Sequence, residues 1–148
     1  MSSTHLSLHV HVVFSTKNRT PWIAVDWRDR LHAYLGGVAR EQEAVPEAIG
    51  GMADHVHLLI GLTATHPLAA VMREVKKASS EWVHRTIGSP EFAWQDGYGA
   101  FSVSASLRDE VRAYIARQEE HHRRLTFREE YLALLTKSGV AFDPRFVD

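Results

Sequence analysis

One stretch of the chain, Ala53-Asp54-His55-Val56-His57-Leu58-Leu59-Ile60-Gly61, constrains the fold more than any other. Val56, Leu58 and Ile60 alternate with His55, His57 and Leu59, and Gly61 closes the run. Period-two alternation with branched residues predicts a β-strand. Side chains two apart on a strand share a face. His55 and His57 therefore stand side by side, while Val56 and Leu58 hold the strand against an apolar layer. Two neutral imidazoles on a rigid strand supply half of a metal site. An isolated His-x-His also describes an ordinary polar sheet face, so a third ligand and a nucleophile must be sought elsewhere.

The rest of the chain interleaves strands and helices. Leu6 to Thr16 alternates in the same way and carries a second pair, His9 and His11. The basic turn Lys17-Asn18-Arg19 follows, with Pro21 behind it. Asp26 to Glu43 has apolar residues three and four apart, which predicts a helix with Asp26 as N-cap. Pro46 marks a break. Ala48 to Met52 reads as a strand weakened by Gly50 and Gly51. The Thr65-His66-Pro67 turn opens a second helix, which Gly88-Ser89-Pro90 stops. A further strand starts at Tyr98. A third helix is predicted over Leu107 to Arg124, capped by Ser106, with Asp109 and Glu110 in its first turn. The last starts at Thr126, where Thr126 and Glu129 fit a capping box, and ends at Gly139. Phe142 and Phe146 pack the tail loosely. This order implies an α+β fold, an antiparallel sheet covered by helices.

At 148 residues, 45% hydrophobic and 24% charged, the chain is expected to form one domain over residues 1–148. It has no cysteine, which excludes disulfides and thiolate-bound zinc. No signal-peptide pattern or membrane-length apolar run is visible, so a cytoplasmic protein is expected. A net charge of −1 gives no overall basic field, and nucleic-acid binding would rest on local clusters. The best of these are Arg73, Lys76, Lys77 and Arg85 on the second helix, with Lys17 and Arg19 after the first strand. Trp22, Trp82 and Trp94 are candidates for base stacking, Trp82 with the spacing of a core residue.

On the third helix Tyr114 and Gln118 are four apart and share a face. A tyrosine hydroxyl can attack phosphorus, and an amide oxygen one turn away can complete a metal shell. The same spacing also fits an apolar stripe of Leu107, Val111, Tyr114 and Ile115. Tyr98, between two glycines, is a competing nucleophile that reads better as a strand-edge aromatic. His121 and His122 suit a helix C-terminus, although they could touch phosphate or metal. Asp54, if in the strand, points away from the His55 face and could still orient a neighbouring ligand.

Asp54-His55-Val56-His57-Leu58-Leu59 resembles the His-hydrophobe-His (HUH) motif of the single-tyrosine transposases of small bacterial insertion sequences. Ser15 to Arg19, Trp94 to Ser104 and Tyr114 to His122 are similar to segments of the same family, in the same order. The resemblance implies a ferredoxin-like or RNA-recognition-like sheet, with His55, His57 and Gln118 as metal ligands and Tyr114 as nucleophile. It also implies a divalent cofactor, Mg2+ or Mn2+, imidazole ligands making manganese an easy substitute. The implied substrate is single-stranded DNA with hairpin ends, cut through a 5′-phosphotyrosine and rejoined. The implied assembly is a homodimer in which one subunit's tyrosine helix faces the other's His pair. The resemblance sets His9 and His11 outside the metal site, as sheet residues and polar neighbours. Two alternatives stand beside this reading: a domesticated nickase with a host function, and a non-catalytic nucleic-acid-binding module.

Overall fold

In the computed structural model, which describes residues 4–65 and 67–147, the described residues form four strands and five α-helices. The elements are β1 (His9–Ser15), α1 (Val25–Glu41), β2 (Val45–Gly51), β3 (His55–Gly61), α2 (Leu68–Trp82), β4 (Gly99–Val103), α3 (Arg108–Ala116), α4 (Gln118–His121) and α5 (Phe127–Lys137). The strands pair antiparallel in the order β2-β3-β1-β4. The chain runs βαββαβ, the ferredoxin-like arrangement. Crossovers between parallel strands are right-handed, which puts α1 and α2 on one face of the sheet. Val12 and Phe14 of β1 and Val56, Leu58 and Ile60 of β3 meet these helices in the main core, with Leu31, Leu35, Met72 and Val75.

The opposite face carries the other half of each alternation. There Val13 packs with Phe101 and Phe127, and Leu59 with Val103 and Ile115. His11 and His57 lie on this face, level with β1–β3 pairs that put His11 opposite Leu59 and Val13 opposite His57. Helices α3 to α5 cover it. Two glycines let them come close. A Cβ on Gly50 would lie 2.3 Å from the carbonyl oxygen of Ile115, and one on Gly99 2.6 Å from the Tyr131 ring. Gly50 is thus less a weakness of β2 than the contact through which α3 reaches the sheet. Arg108, the first residue of α3, donates from Nε to Glu47 of β2 at 3.1 Å.

Several local expectations need correction. Pro46 lies inside β2 and does not end it. β2 is an edge strand, where a missing N–H is tolerated, and its register shifts between Pro46 and Ala48. Ala24, not Asp26, is the N-cap of α1, and Asp26 sits in the first turn, where a negative charge interacts favourably with the positive end of the helix dipole. Leu107, not Ser106, precedes α3, after a 3-10 turn over Ala105–Leu107. The third helix is also not continuous. It breaks at Arg117 (φ −101°, ψ 22°), so Tyr114 lies in the last turn of one helix, which ends at Ala116, and Gln118 starts the next. The α5 capping box is present in both directions, each bond 3.1 Å. Phe142 is 37% exposed; the side chain of Phe146, and His66, lie outside the described residues.

Candidate active site

His55 and His57 project from β3 beneath α3–α5 and are fully buried. Four ligand-bearing side chains, His55, His57, His122 and Glu130, bring one donor atom each to within 4.8 Å of one another. The convergence is through Nε2. That atom lies 3.6 Å from Glu130 Oε1 in His55, 2.9 Å in His57 and 3.1 Å in His122. Gln118 joins them, its Oε1 2.9 Å from His55 Nε2 and 3.0 Å from His122 Nε2, while its Nε2 donates to Glu130 Oε2 at 3.0 Å.

The outer ring nitrogens are all engaged. His55 Nδ1 donates to Asp54 Oδ1 at 2.8 Å, and His122 Nδ1 to the Leu125 carbonyl at 2.7 Å. His57 Nδ1 lies 2.8 Å from His11 Nε2. Such partners fix ring orientation and tautomer and leave Nε2 as the ligand atom. β3 begins at His55, so Asp54 is free of the strand and turns toward its neighbour, instead of pointing away. His9 sits at the far end of β1, 3.3 Å from Glu47.

Electrostatics follow from burial and one carboxylate. Burial, reinforced by the adjacent His57, lowers the His11 pKa to about 3, and burial lowers that of His57 to about 4. Both rings are neutral at pH 7. Burial alone would raise Glu130, but its bonds to His122 and His57 hold it well below the usual carboxylate range. Burial would lower His122, and Glu130 outweighs it, so the net shift is upward. Three imidazole nitrogens, a carboxylate and an amide oxygen aimed at one point cannot all remain lone pairs. A proton or a cation must sit among them. The nitrogen-rich donor set suits a divalent transition ion better than magnesium, which prefers oxygen.

Tyr114 stands at the edge of this cluster in the same chain. Its ring lies 5.7 Å from that of His57 and 6.1 Å from that of His11. Its hydroxyl donates to Glu130 Oε2 and lies 3.4 Å from His121 Nε2. Burial, then the Glu130 carboxylate, push the phenol well above its ordinary range. No exchange of helices between subunits is needed to bring this tyrosine to the histidines. Tyr98 is half-buried against the main core instead.

Sequence reasoning found His55, His57, Tyr114 and Gln118, and the structure brings them together. It missed Glu130 and set His122 down as a helix cap. A readable signal existed for Glu130: it falls three residues after Phe127 and four before Leu134, on the buried side of α5, where an acid needs partners. The basic candidates do not gather here. Arg73, Lys77 and Arg85 are exposed, on or just after α2, across the sheet from Tyr114. Lys76 donates to the carbonyls of Gln95 (2.6 Å) and Gly97 (2.9 Å). Lys17 and Arg19 lie in a 3-10 turn after β1. Trp94 is a core residue bonded to Ser79 Oγ at 2.9 Å, and Trp22 and Trp82 pack against the core.

Comparison with protein families matches residues 4–118 to the family described as "Transposase IS200 like". The match includes His55, His57, Tyr114 and Gln118 and stops before His122 and Glu130. Two solved structures share the fold. One is a candidate transposase from Deinococcus radiodurans R1, 24% identical, TM-score 0.64, covering 80% of this chain and 96% of its own. The other is a REP-associated tyrosine transposase bound to a REP hairpin, 16% identical, TM-score 0.60, covering 82% of this chain and 74% of its own. Comparison with curated protein sequences gives no significant match.

Proposed function

Because the chain belongs to the IS200-like transposase family, we propose that it is a transposase that cuts and rejoins single-stranded DNA through Tyr114. The observation that carries this reading is the Tyr114 hydroxyl seated on Glu130 beside three converging imidazoles. His55, His57, His122 and Glu130, with Gln118, would hold a divalent ion. Bound there, the ion would supply Lewis-acid stabilisation of charge on a scissile phosphate.

The chain's own residues do the rest. The Tyr114 oxygen attacks phosphorus, the P–O3′ bond breaks, and a 5′-phosphotyrosine and a 3′-OH form. The phenol proton, already in a hydrogen bond to Glu130 Oε2, passes to that carboxylate only as the O–P bond forms and the phenolic oxygen becomes acidic, and the leaving oxygen takes a proton from water. An acceptor is needed because a phenol pushed above its usual pKa near 10 is neutral at pH 7. Attack by another strand's 3′-OH reverses the step and joins new ends, with no hydrolysis and no nucleotide cofactor. Tyr114 stands beside His57 within one chain, which supports a site formed in cis, two to a homodimer; a homodimer whose tyrosine helices face the partner's His pair is the other arrangement the family resemblance offers. Hairpin ends are proposed as the docking feature, as the hairpin-bound REP-associated relative suggests.

The test is incubation with Mn2+ and end-labelled single-stranded DNA carrying a flanking hairpin, followed by a denaturing gel. Label migrating with the protein is expected. Label released only as free fragments would mean hydrolysis and would overturn the reading.

A further inference from the structure

The proposed function requires a path for the strand, and the residues first considered for DNA contact do not provide one. Arg73, Lys77 and Arg85 belong to the α1–α2 layer, and the sheet separates them from Tyr114. On the tyrosine's own layer two clefts open, of about 770 Å³ and about 490 Å³. Tyr114, Arg117, His121 and Leu125 line both, so the clefts meet at the nucleophile. Lys137 lines the larger and Arg124 the smaller.

Arg117, Arg124 and Lys137 are exposed, and their side chains have no ion-pair or hydrogen-bond partner among the described residues. The same linings hold Asp109, Glu110, Glu120 and Glu130, so the clefts carry no net positive field, and the three unpaired cations around one tyrosine are discrete points for phosphate contacts. The wall between them is apolar, with Val111 and Leu134. Such a surface suits the face of an unstacked base, while phosphates track the cations. Asp109 and Glu110 in the larger cleft and Glu120 in the smaller would repel a phosphate at their own positions, which leaves Arg117, Arg124 and Lys137 to fix where the phosphates run. Arg117 sits at the helix break, three residues after Tyr114, with its backbone N–H bonded to Ala113 and Tyr114.

We infer that the strand to be cut lies along the α3–α5 face, with Arg117 on the phosphate beside Tyr114 and Arg124 and Lys137 on its neighbours. This rests on the single-strand reading above but can fail separately from it.

The test compares binding of a short unpaired oligonucleotide, by fluorescence anisotropy over a range of salt without metal, for three proteins. They are the wild type, Arg117→Gln/Arg124→Gln/Lys137→Gln, and Arg73→Gln/Lys77→Gln/Arg85→Gln. Each single-strand phosphate contact contributes about 0.7 to the log–log salt slope. The first variant should bind at least about tenfold more weakly, with a slope shallower by about 2. The α2 variant should stay within about twofold of wild type in affinity, the tolerance of a change at residues that touch no phosphate. Arg117→Lys should recover most of the slope lost in Arg117→Gln. A neutral methylphosphonate at the scissile position should cost wild type as much as Arg117→Gln does, and the two changes together should cost no more than either. Loss confined to the α2 variant, an unchanged slope in the first variant, or no binding by wild type would overturn the inference. If wild type forms adducts while these variants bind alike, the strand path is wrong and the chemistry stands. If the binding pattern holds but no adduct forms, the path stands and the chemistry is wrong.

Discussion

Asp54 makes no contact with the point where the ligand atoms converge, yet its removal should weaken metal binding. Its carboxylate accepts from His55 Nδ1 at 2.8 Å, and burial, which would raise its pKa, is outweighed by that bond and charge, which lower it. The Nδ1–H tautomer is therefore held, and Nε2 keeps its lone pair toward Gln118 and Glu130. In Asp54→Ala the proton is free to move to Nε2, where it can donate to Gln118 Oε1, 2.9 Å away. The ligand position is then blocked until the tautomer reverts. A hydrogen bond to a charged group contributes about 1.5–3 kcal/mol, and loss of an outer partner of a ligating histidine typically costs about 10–100-fold in affinity. The two figures agree. Part of the bond is open to solvent, the Asp54 side chain being 28% exposed, so the lower half of that range is expected. Isothermal titration with Mn2+ should show Kd raised about 10–30-fold. Excess Mn2+ should restore the rate of adduct formation, because nothing at Tyr114 has changed. An unchanged Kd, or a lost rate that saturating metal does not restore, would refute the assignment of His55 Nε2 as a ligand atom.

Tyr114→Phe should abolish covalent protein–DNA adducts while leaving DNA binding within about twofold and weakening Mn2+ by about tenfold, because the phenol's hydrogen bond to the ligating Glu130 is lost; persisting adducts would remove it from the role. Gly50→Ala should lower stability by about 1–3 kcal/mol in denaturant melts, because its Cβ meets the Ile115 carbonyl. It should also slow adduct formation by displacing the neighbouring Tyr114; wild-type activity in that variant would show that α3 need not sit so close. His32 predicts a pH effect away from the site. Burial lowers its pKa to about 4, and its Nε2 is buried without a hydrogen-bond partner. The unfolded chain, with the group near 6.5, binds more protons in this interval. Stability is therefore retained above about pH 6.5 and lost as pH falls toward 4, by up to about 3 kcal/mol. His32→Leu should reduce that slope; parallel stability–pH curves for the two proteins would contradict it.

The alternating runs from Leu8 to Phe14 and Val56 to Ile60 were legible because one face of each had to be apolar. The capping box at Thr126 was legible because its two partners are local. What stayed hidden was set by tertiary contacts. Nothing in Tyr114-Ile115-Ala116-Arg117-Gln118 breaks a helix by propensity, since neither glycine nor proline occurs there. The break accompanies the inward turn of Gln118, 2% exposed and held by His55, His122 and Glu130. Pro46 looked like a terminator because edge position is a property of the sheet, not of the segment. Glu130 looked like one more helical acid, and only its register with Phe127 and Leu134 marks it as buried. The basic residues of α2 looked promising because a sequence does not say which side of a sheet its helices cover.

The central claim is that one chain's phenol and imidazoles act on one phosphate. The most direct measurement is mass spectrometry of the proteolysed adduct formed with Mn2+ and single-stranded DNA. A nucleotide mass on the peptide containing Tyr114, absent when His57 is replaced by alanine, is the result expected. A nucleotide on Tyr98 or another residue, or an adduct indifferent to His57, would contradict it.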